Sequence, residues 1–106
     1  MHRILPHITL LIESIMMVAA KQIFQQYIQE FPQDTKAIEC EYYVALCALN
    51  LFNDDAEYLF NNFIDKYPNH IKSGRAGYDL GNFFYNNKKY DKSIEYYAMV
   101  DESKLS

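Results

Sequence analysis

AKQIFQQYIQEFP, residues 20–32, returns as AEYLFNNFIDKYP, residues 56–68. Ala20, Phe24, Tyr27 and Phe31-Pro32 are each carried 36 residues on, to Ala56, Phe60, Phe63 and Tyr67-Pro68. A weaker copy, Ser93, Tyr97 and Val100, follows 37 residues later. A fixed period of roughly 20–50 residues marks stacked units, none of which can bury its apolar face alone. Chains built this way serve chiefly as surfaces that hold other molecules. The period therefore bounds fold and function together without naming a partner.

The repeat has a helical logic. A small residue, an aromatic four on and an apolar residue three further on share one helix face. The small residue lets a neighbouring helix come close, and the aromatics fill the space beyond it. Pro32 and Pro68 stop these helices, because proline disfavours the α region in the residue before it and has no N–H to donate. Asp34 and Asn69 lie just past the stops and suit turns or the next N-cap. Between the stripes lies a second kind of helix, at 35–50 (TKAIECEYYVALCALN) and 72–87 (KSGRAGYDLGNFFYNN). Short polar turns, LFNDD and NNKKYD, join each to the next stripe. No stretch alternates with the period of a strand. The pattern predicts an all-α chain, with helix 18–31 followed by antiparallel pairs near 35–50/53–67 and 72–87/90–101.

The segment YDLGNFFYNNKKYDKSIEYYAMV resembles a tetratricopeptide (TPR) repeat. Leu80-Gly81 and Phe84 match the first-helix contacts of that family, and Tyr90 matches the aromatic at the turn. Ser93, Tyr97 and Val100 match the second-helix set. The middle repeat fits through Val44-Ala45, Ala48, Ala56, Phe60, Phe63 and Pro68, with a turn about one residue short. The resemblance covers roughly residues 18–101. The Tyr-Pro ending and the period are similar to TPR domains of bacterial cell-envelope proteins, of the tol–pal accessory and outer-membrane assembly lipoprotein type.

The resemblance implies a right-handed superhelix of antiparallel helix pairs, with about two and a half to three repeats. It implies one domain over 1–106, with an atypical segment at 1–17, the second helix of repeat 1 at 18–34, repeat 2 at 35–70 and repeat 3 at 71–106. It also implies a non-enzymatic interaction module, with first helices lining a concave peptide-binding groove. Carried over, that groove takes Glu39, Tyr42, Tyr43, Leu46 and Asn50 from the middle repeat. From the last it takes Arg75, Tyr78, Asp79, Asn82, Tyr85 and Asn86. Tyrosine and asparagine suit an extended backbone, offering rigid amphipathic area with amide donors and acceptors. The alternative is that several of these tyrosines only pack between repeats. Family members that grip a C-terminal carboxylate use lysines and arginines with asparagines along this face. Asn82 matches one asparagine, but Tyr42 and Tyr78 stand where lysine is wanted, and Arg75 is the only cation carried over. The partner expected is a protein or peptide, in the periplasm or envelope if the resemblance extends that far. The alternative function is a structural spacer or self-assembly segment with no specific groove ligand.

The N-terminus departs from the pattern. HRILPHITLLIESIMM has no glycine, carries Pro6 and is the most apolar part of the chain. It reads as a divergent capping helix, as part of one helix from about His7 through Phe31, or as a segment foreign to the repeat. Arg3, an apolar run and Val18-Ala19-Ala20 imitate a secretory signal, but His7 and Glu13 interrupt the run. No uninterrupted run reaches the ~18 apolar residues of a membrane span, so no membrane insertion is expected. There is no lipobox cysteine to carry a lipid anchor. The ending VDESKLS falls where a further first helix would begin, which suggests a piece of a larger scaffold. Apolar ends of a repeat stack predict self-association.

Composition narrows the function classes. The chain has 106 residues, half of them hydrophobic, with a net charge of −4. That balance argues against nucleic acid, whose affinity comes mainly from Lys and Arg on phosphates, and no basic stripe interleaves the aromatics. Cys40 and Cys47 are two turns apart on one predicted helix, about 10 Å by helical rise, too far for a disulfide. No CxxC or nearby histidine suggests zinc. A cysteine hydrolase would need a His beside a cysteine, and no signature points to one. Asp54-Asp55-Glu57 reads as favourable charge at a helix start and lacks EF-hand spacing. Gly74, Gly77 and Gly81 lack the strand and the GK[ST] of a phosphate loop. No cofactor is expected.

Overall fold

Pro32 and Pro68 stand just beyond the ends of α1 (Ile4–Glu30) and α3 (Ala56–Lys66). The next helices, α2 (Thr35–Asn50) and α4 (Ile71–Asn86), start and finish at positions again related by the sequence period. A short α5 (Tyr90–Tyr97) follows. This computed structural model describes residues 4–100, with side chains from 8 onward. Among the described residues every regular element is a helix, as the periodicity predicts. The chain divides into two compact units, Met1–Ala56 and Glu57–Ser106.

The period holds down to single hydrogen bonds. At the helix ends, Tyr27 and Phe31 bring their rings to 5.0 Å, and Phe63 and Tyr67 theirs to 5.1 Å. Asp34 caps α2 by accepting from the Lys36 amide, and His70 caps α4 by accepting at Nδ1 from the Lys72 amide. A cap of this kind satisfies an amide that the helix itself leaves open. After α2, Phe52 adopts a left-handed conformation with φ 58°, and the Asn53 amide reaches back to the Ala48 carbonyl at 2.9 Å. After α4, Lys88 does the same with φ 63°, and the Lys89 amide reaches the Phe84 carbonyl at 2.8 Å. Both are helix terminations in which a left-handed residue closes the last turn.

In the first unit α1 packs on α2. Phe24 stacks on Tyr43 with ring centroids 5.3 Å apart, the Lys21 ammonium donates to Asn53 at 2.9 Å, and the Tyr27 hydroxyl donates to Asp34 at 2.6 Å. Of the readings open for the N-terminus, the structure shows one continuous helix of 27 residues. Pro6 falls in its first turn, where no backbone N–H is needed. From His7 to Phe31 no proline or glycine interrupts it.

In the second unit α4 packs on α5. Phe84 and Tyr96 stack with centroids 5.6 Å apart and planes 10° apart, and the buried Ser93 hydroxyl donates to the Gly81 carbonyl at 2.9 Å. Phe60, Phe63, Leu80 and Tyr96 are buried here. The expected helix over 53–67 begins later, at Ala56, because Asp54 and Asp55 stay in the turn, and the expected helix over 90–101 is assigned as Tyr90–Tyr97.

Candidate functional site

The face of α4 brings together Arg75, Tyr78, Asp79, Asn82, Tyr85 and Asn86. Their spacing of three and four residues lines them along one stripe of the helix. Tyr78 and Tyr85 are 38% and 57% exposed, Asn86 is exposed, and Arg75, Asp79 and Asn82 are half-buried. Arg75 lies 3.6 Å from the Asp79 carboxylate and 5.6 Å from the Tyr78 ring centroid. Its charge is therefore already partnered within the stripe. Tyr97 on α5 packs beside Tyr78, with centroids 6.4 Å apart, and donates its hydroxyl hydrogen to the Asn82 side-chain oxygen. That bond orients the amide and leaves its NH2 group to donate outward. Tyr85 is supported edge-on by Tyr90 at 5.6 Å.

On α2 the sequence-expected residues separate. Glu39 and Asn50 are exposed, while Tyr43 and Leu46 are half-buried. Tyr43 carries its ring on Phe24, and the Asn50 amide donates to the Leu46 carbonyl at 3.0 Å, inside its own helix. Tyr42 is 1% exposed and is not a surface group. Adjacent residues on a helix point 100° apart, so Tyr42 and Tyr43 cannot share one face.

Sequence reasoning placed Glu57 at a helix start, and it stands in the first turn of α3, but its bond to Tyr96 was missed. The Glu57 carboxylate accepts from the Tyr96 hydroxyl and, at 2.8 Å, from the Lys92 ammonium. Burial alone would raise the Glu57 carboxyl, but the bonds from Lys92 and Tyr96 outweigh it and hold it below the ordinary range. Burial, then the bond to Glu57, pushes Tyr96 up to about 12. No sequence signal pairs them, because the displacement makes Glu57 the counterpart of Ile94 and says nothing of how α3 and α5 approach. His70 is half-buried, caps α4 and meets Phe63 edge-on at 5.6 Å.

The surroundings of the two cysteines disfavour the thiolate. Burial pushes both thiols up, and Lys21 only partly offsets this at Cys47. A raised thiol is a poor nucleophile at neutral pH. Among the described residues no group of three His, Cys, Asp or Glu is placed to hold a metal ion.

The N-terminal helix is apolar on average. Over Ile8–Glu30, α1 is long and apolar enough to cross a membrane by length and composition, with a mean hydropathy of 1.3, and none of that window is buried. The sequence expectation asked for an uninterrupted run and stopped at Glu13. A hydropathy average tolerates one such charge.

Residues 39–70 match the tetratricopeptide repeat family. The match runs from α2 through α3 to the cap of α4. No curated protein and no solved structure matches the chain. The fold is an all-α, TPR-like helical repeat. Repeats of this family generally mediate protein–protein interaction.

Proposed function

We propose that this chain is a non-catalytic protein-interaction module that takes an extended peptide on the tyrosine- and asparagine-rich stripe of α4. The observation that carries this reading is the Tyr78–Asn82–Tyr85 arrangement. Two exposed aromatic rings flank an amide whose oxygen is already held by Tyr97. Rigid tyrosines offer contact area at little entropic cost, and an oriented amide can bond a peptide carbonyl. On α2, Glu39, Tyr43, Leu46 and Asn50 follow one another at helical spacing with a single aromatic ring among them. The module fits a scaffold, and the Tyr67-Pro68 ending with its 36-residue period supports a place in the bacterial cell envelope.

The test is selection of displayed random peptides on the wild-type chain, followed by titration of the selected peptides onto a Tyr78→Ala/Asn82→Ala variant. The reading expects binding to fall at least tenfold, with the thermal melt retained. Peptides that bind both proteins equally, or no enrichment at all, would favour the spacer reading instead.

A further inference from the structure

We infer that a second copy of this chain docks the first half of its α1 on the outer face of α5, joining copies head to tail. The inference deepens the reading of the chain as an interaction module, and rests on it only in that respect. The repeat itself supplies the template. On α1, Phe24 lies on the face that α2 covers, through the Phe24–Tyr43 stack, and Lys21 on the same side bonds Asn53 in the turn that follows α2. Carried through both repeat steps, Phe24 becomes Tyr97 and Lys21 becomes Ile94. Ile94 on α5 is 66% exposed and Met99, just past its end, 53%, while Tyr97 keeps 36% of its surface open although one side of its ring packs on Tyr78 and Gly81 of α4. What fits the outer face of α5 is therefore a helix in the register of α2.

The same chain exposes such a helix. Carried back by one period of 36, Val44–Asn50 of α2 falls on Ile8–Ser14 of α1. These residues stand in first-helix register, yet they are fused in line with the second helix and do not fold back on it. Ile8, Leu11, Ile12, Ile15 and Met16 are 44–68% exposed. A single charge, Glu13, lies between Ile8 and Ala20. Lipid is the less suitable cover. Leu10, Glu13, Ser14 and Met17 line a cavity of about 290 Å³ with Asn50, Leu51 and Phe52. A bilayer would have to take in the Glu13 carboxylate along with the apolar side chains, which a low-dielectric interior disfavours. A protein face lets that carboxylate stay at its wet edge.

The two halves of the contact are different surfaces, so the association is heterologous and gives rings or open chains. The test uses the whole chain. Sedimentation of the wild type at high micromolar concentration is expected to show a mass rising above the 12.5 kDa of one copy. Ile15→Glu and Ile94→Glu, both at exposed positions, are each expected to sediment as monomers with unchanged circular dichroism. Mixed, they are expected to form a one-to-one pair that grows no further, since each keeps one working end. As a measurement independent of these substitutions, a photo-cross-linker at position 94 of the otherwise wild-type chain is expected to capture residues 8–16 of another copy. A monomeric wild type overturns the inference, including one that co-sediments with phosphatidylglycerol vesicles. So does an Ile94→Glu variant that associates like the wild type, or cross-links that map elsewhere. None of these outcomes touches peptide binding on α4, which is measured separately.

Discussion

The Tyr96 hydroxyl on α5 donates to the Glu57 carboxylate on α3, tying two helices of the second unit by a bond to a charged group. Lys92 reaches the same carboxylate, and the Asn61 amide donates to the Tyr96 oxygen at 3.4 Å. Hydrogen bonds to charged groups contribute about 1.5–3 kcal/mol, whereas exposed ion pairs contribute about 1 kcal/mol or less. Tyr96→Phe is therefore expected to lower stability by roughly 1–3 kcal/mol in urea melts, and Lys92→Met by less than about 1 kcal/mol. Equal losses would show that the ion pair, and not the phenol, carries the tie.

The same pair predicts a dependence on pH at both ends. Glu57 is held below its ordinary value, so its contribution is present above the unfolded carboxyl range near 4.3 and is lost as pH falls through the folded value. Tyr96 is pushed up to about 12, so its contribution is full below the unfolded phenol value near 10 and disappears as pH rises toward the folded one. Stability measured against pH should show the alkaline decline in the wild type and lose that component in Tyr96→Phe.

Phe60 is 0% exposed. Emptying a core aromatic site removes its transfer energy and leaves a cavity, a combined cost of about 3–5 kcal/mol. Phe60→Ala is expected to lose that much in denaturant melts. A loss below about 1 kcal/mol would mean that the space collapses or was never tightly filled.

Much of this was legible in the residues. Ala56, Phe60 and Phe63, picked out by their displacement from Ala20, Phe24 and Tyr27, are all buried. The stops at Pro32 and Pro68 set the ends of α1 and α3, because a proline acts locally whatever surrounds it. The continuity of α1 was harder to read. Its sequence offers no stop signal near residue 17, and whether such a helix folds back is decided by what covers it. The site was half legible. Spacing put Tyr78, Asn82 and Tyr85 on one stripe, but spacing could not say that Tyr42 turns inward beside a half-exposed Tyr43. Nor could it pair Glu57 with Tyr96, since that bond depends on how α3 and α5 approach.

Gly77 and Gly81 mark two different close approaches. A Cβ on Gly77 would lie 2.6 Å from the Tyr96 carbonyl oxygen, and one on Gly81 would lie 2.5 Å from two carbons of the Tyr97 ring. Backbone yields only by moving α5, whereas the partly exposed Tyr97 ring can swing aside. Overpacking costs about 1–3 kcal/mol, set against the roughly 1 kcal/mol that alanine gains over glycine in a helix. Gly77→Ala is therefore expected to destabilise by about 1–2 kcal/mol net and Gly81→Ala by clearly less. Gly81→Ala should also weaken peptide binding on α4, because Tyr97 must release Asn82. The reverse order of stability would place the tighter contact at Tyr97.

Phe52 and Lys88 hold the same left-handed position at the two turns, with φ 58° and 63°. An L-residue there is disfavoured by roughly 1–2 kcal/mol, while glycine is free of that penalty but gives up about 0.5–1 kcal/mol through the unfolded chain. Lys88→Gly is expected to raise stability by about 0.5–1 kcal/mol, seen as a higher urea midpoint with an unchanged slope. Phe52→Gly relieves the same strain but also removes a ring that lines the cavity beside Leu10 and Met17. Its gain should be smaller or absent. If both glycine variants gain equally, the Phe52 ring contributes nothing to that cavity wall. If neither gains, the left-handed turn is costless here and the two terminations are held by their backbone hydrogen bonds alone.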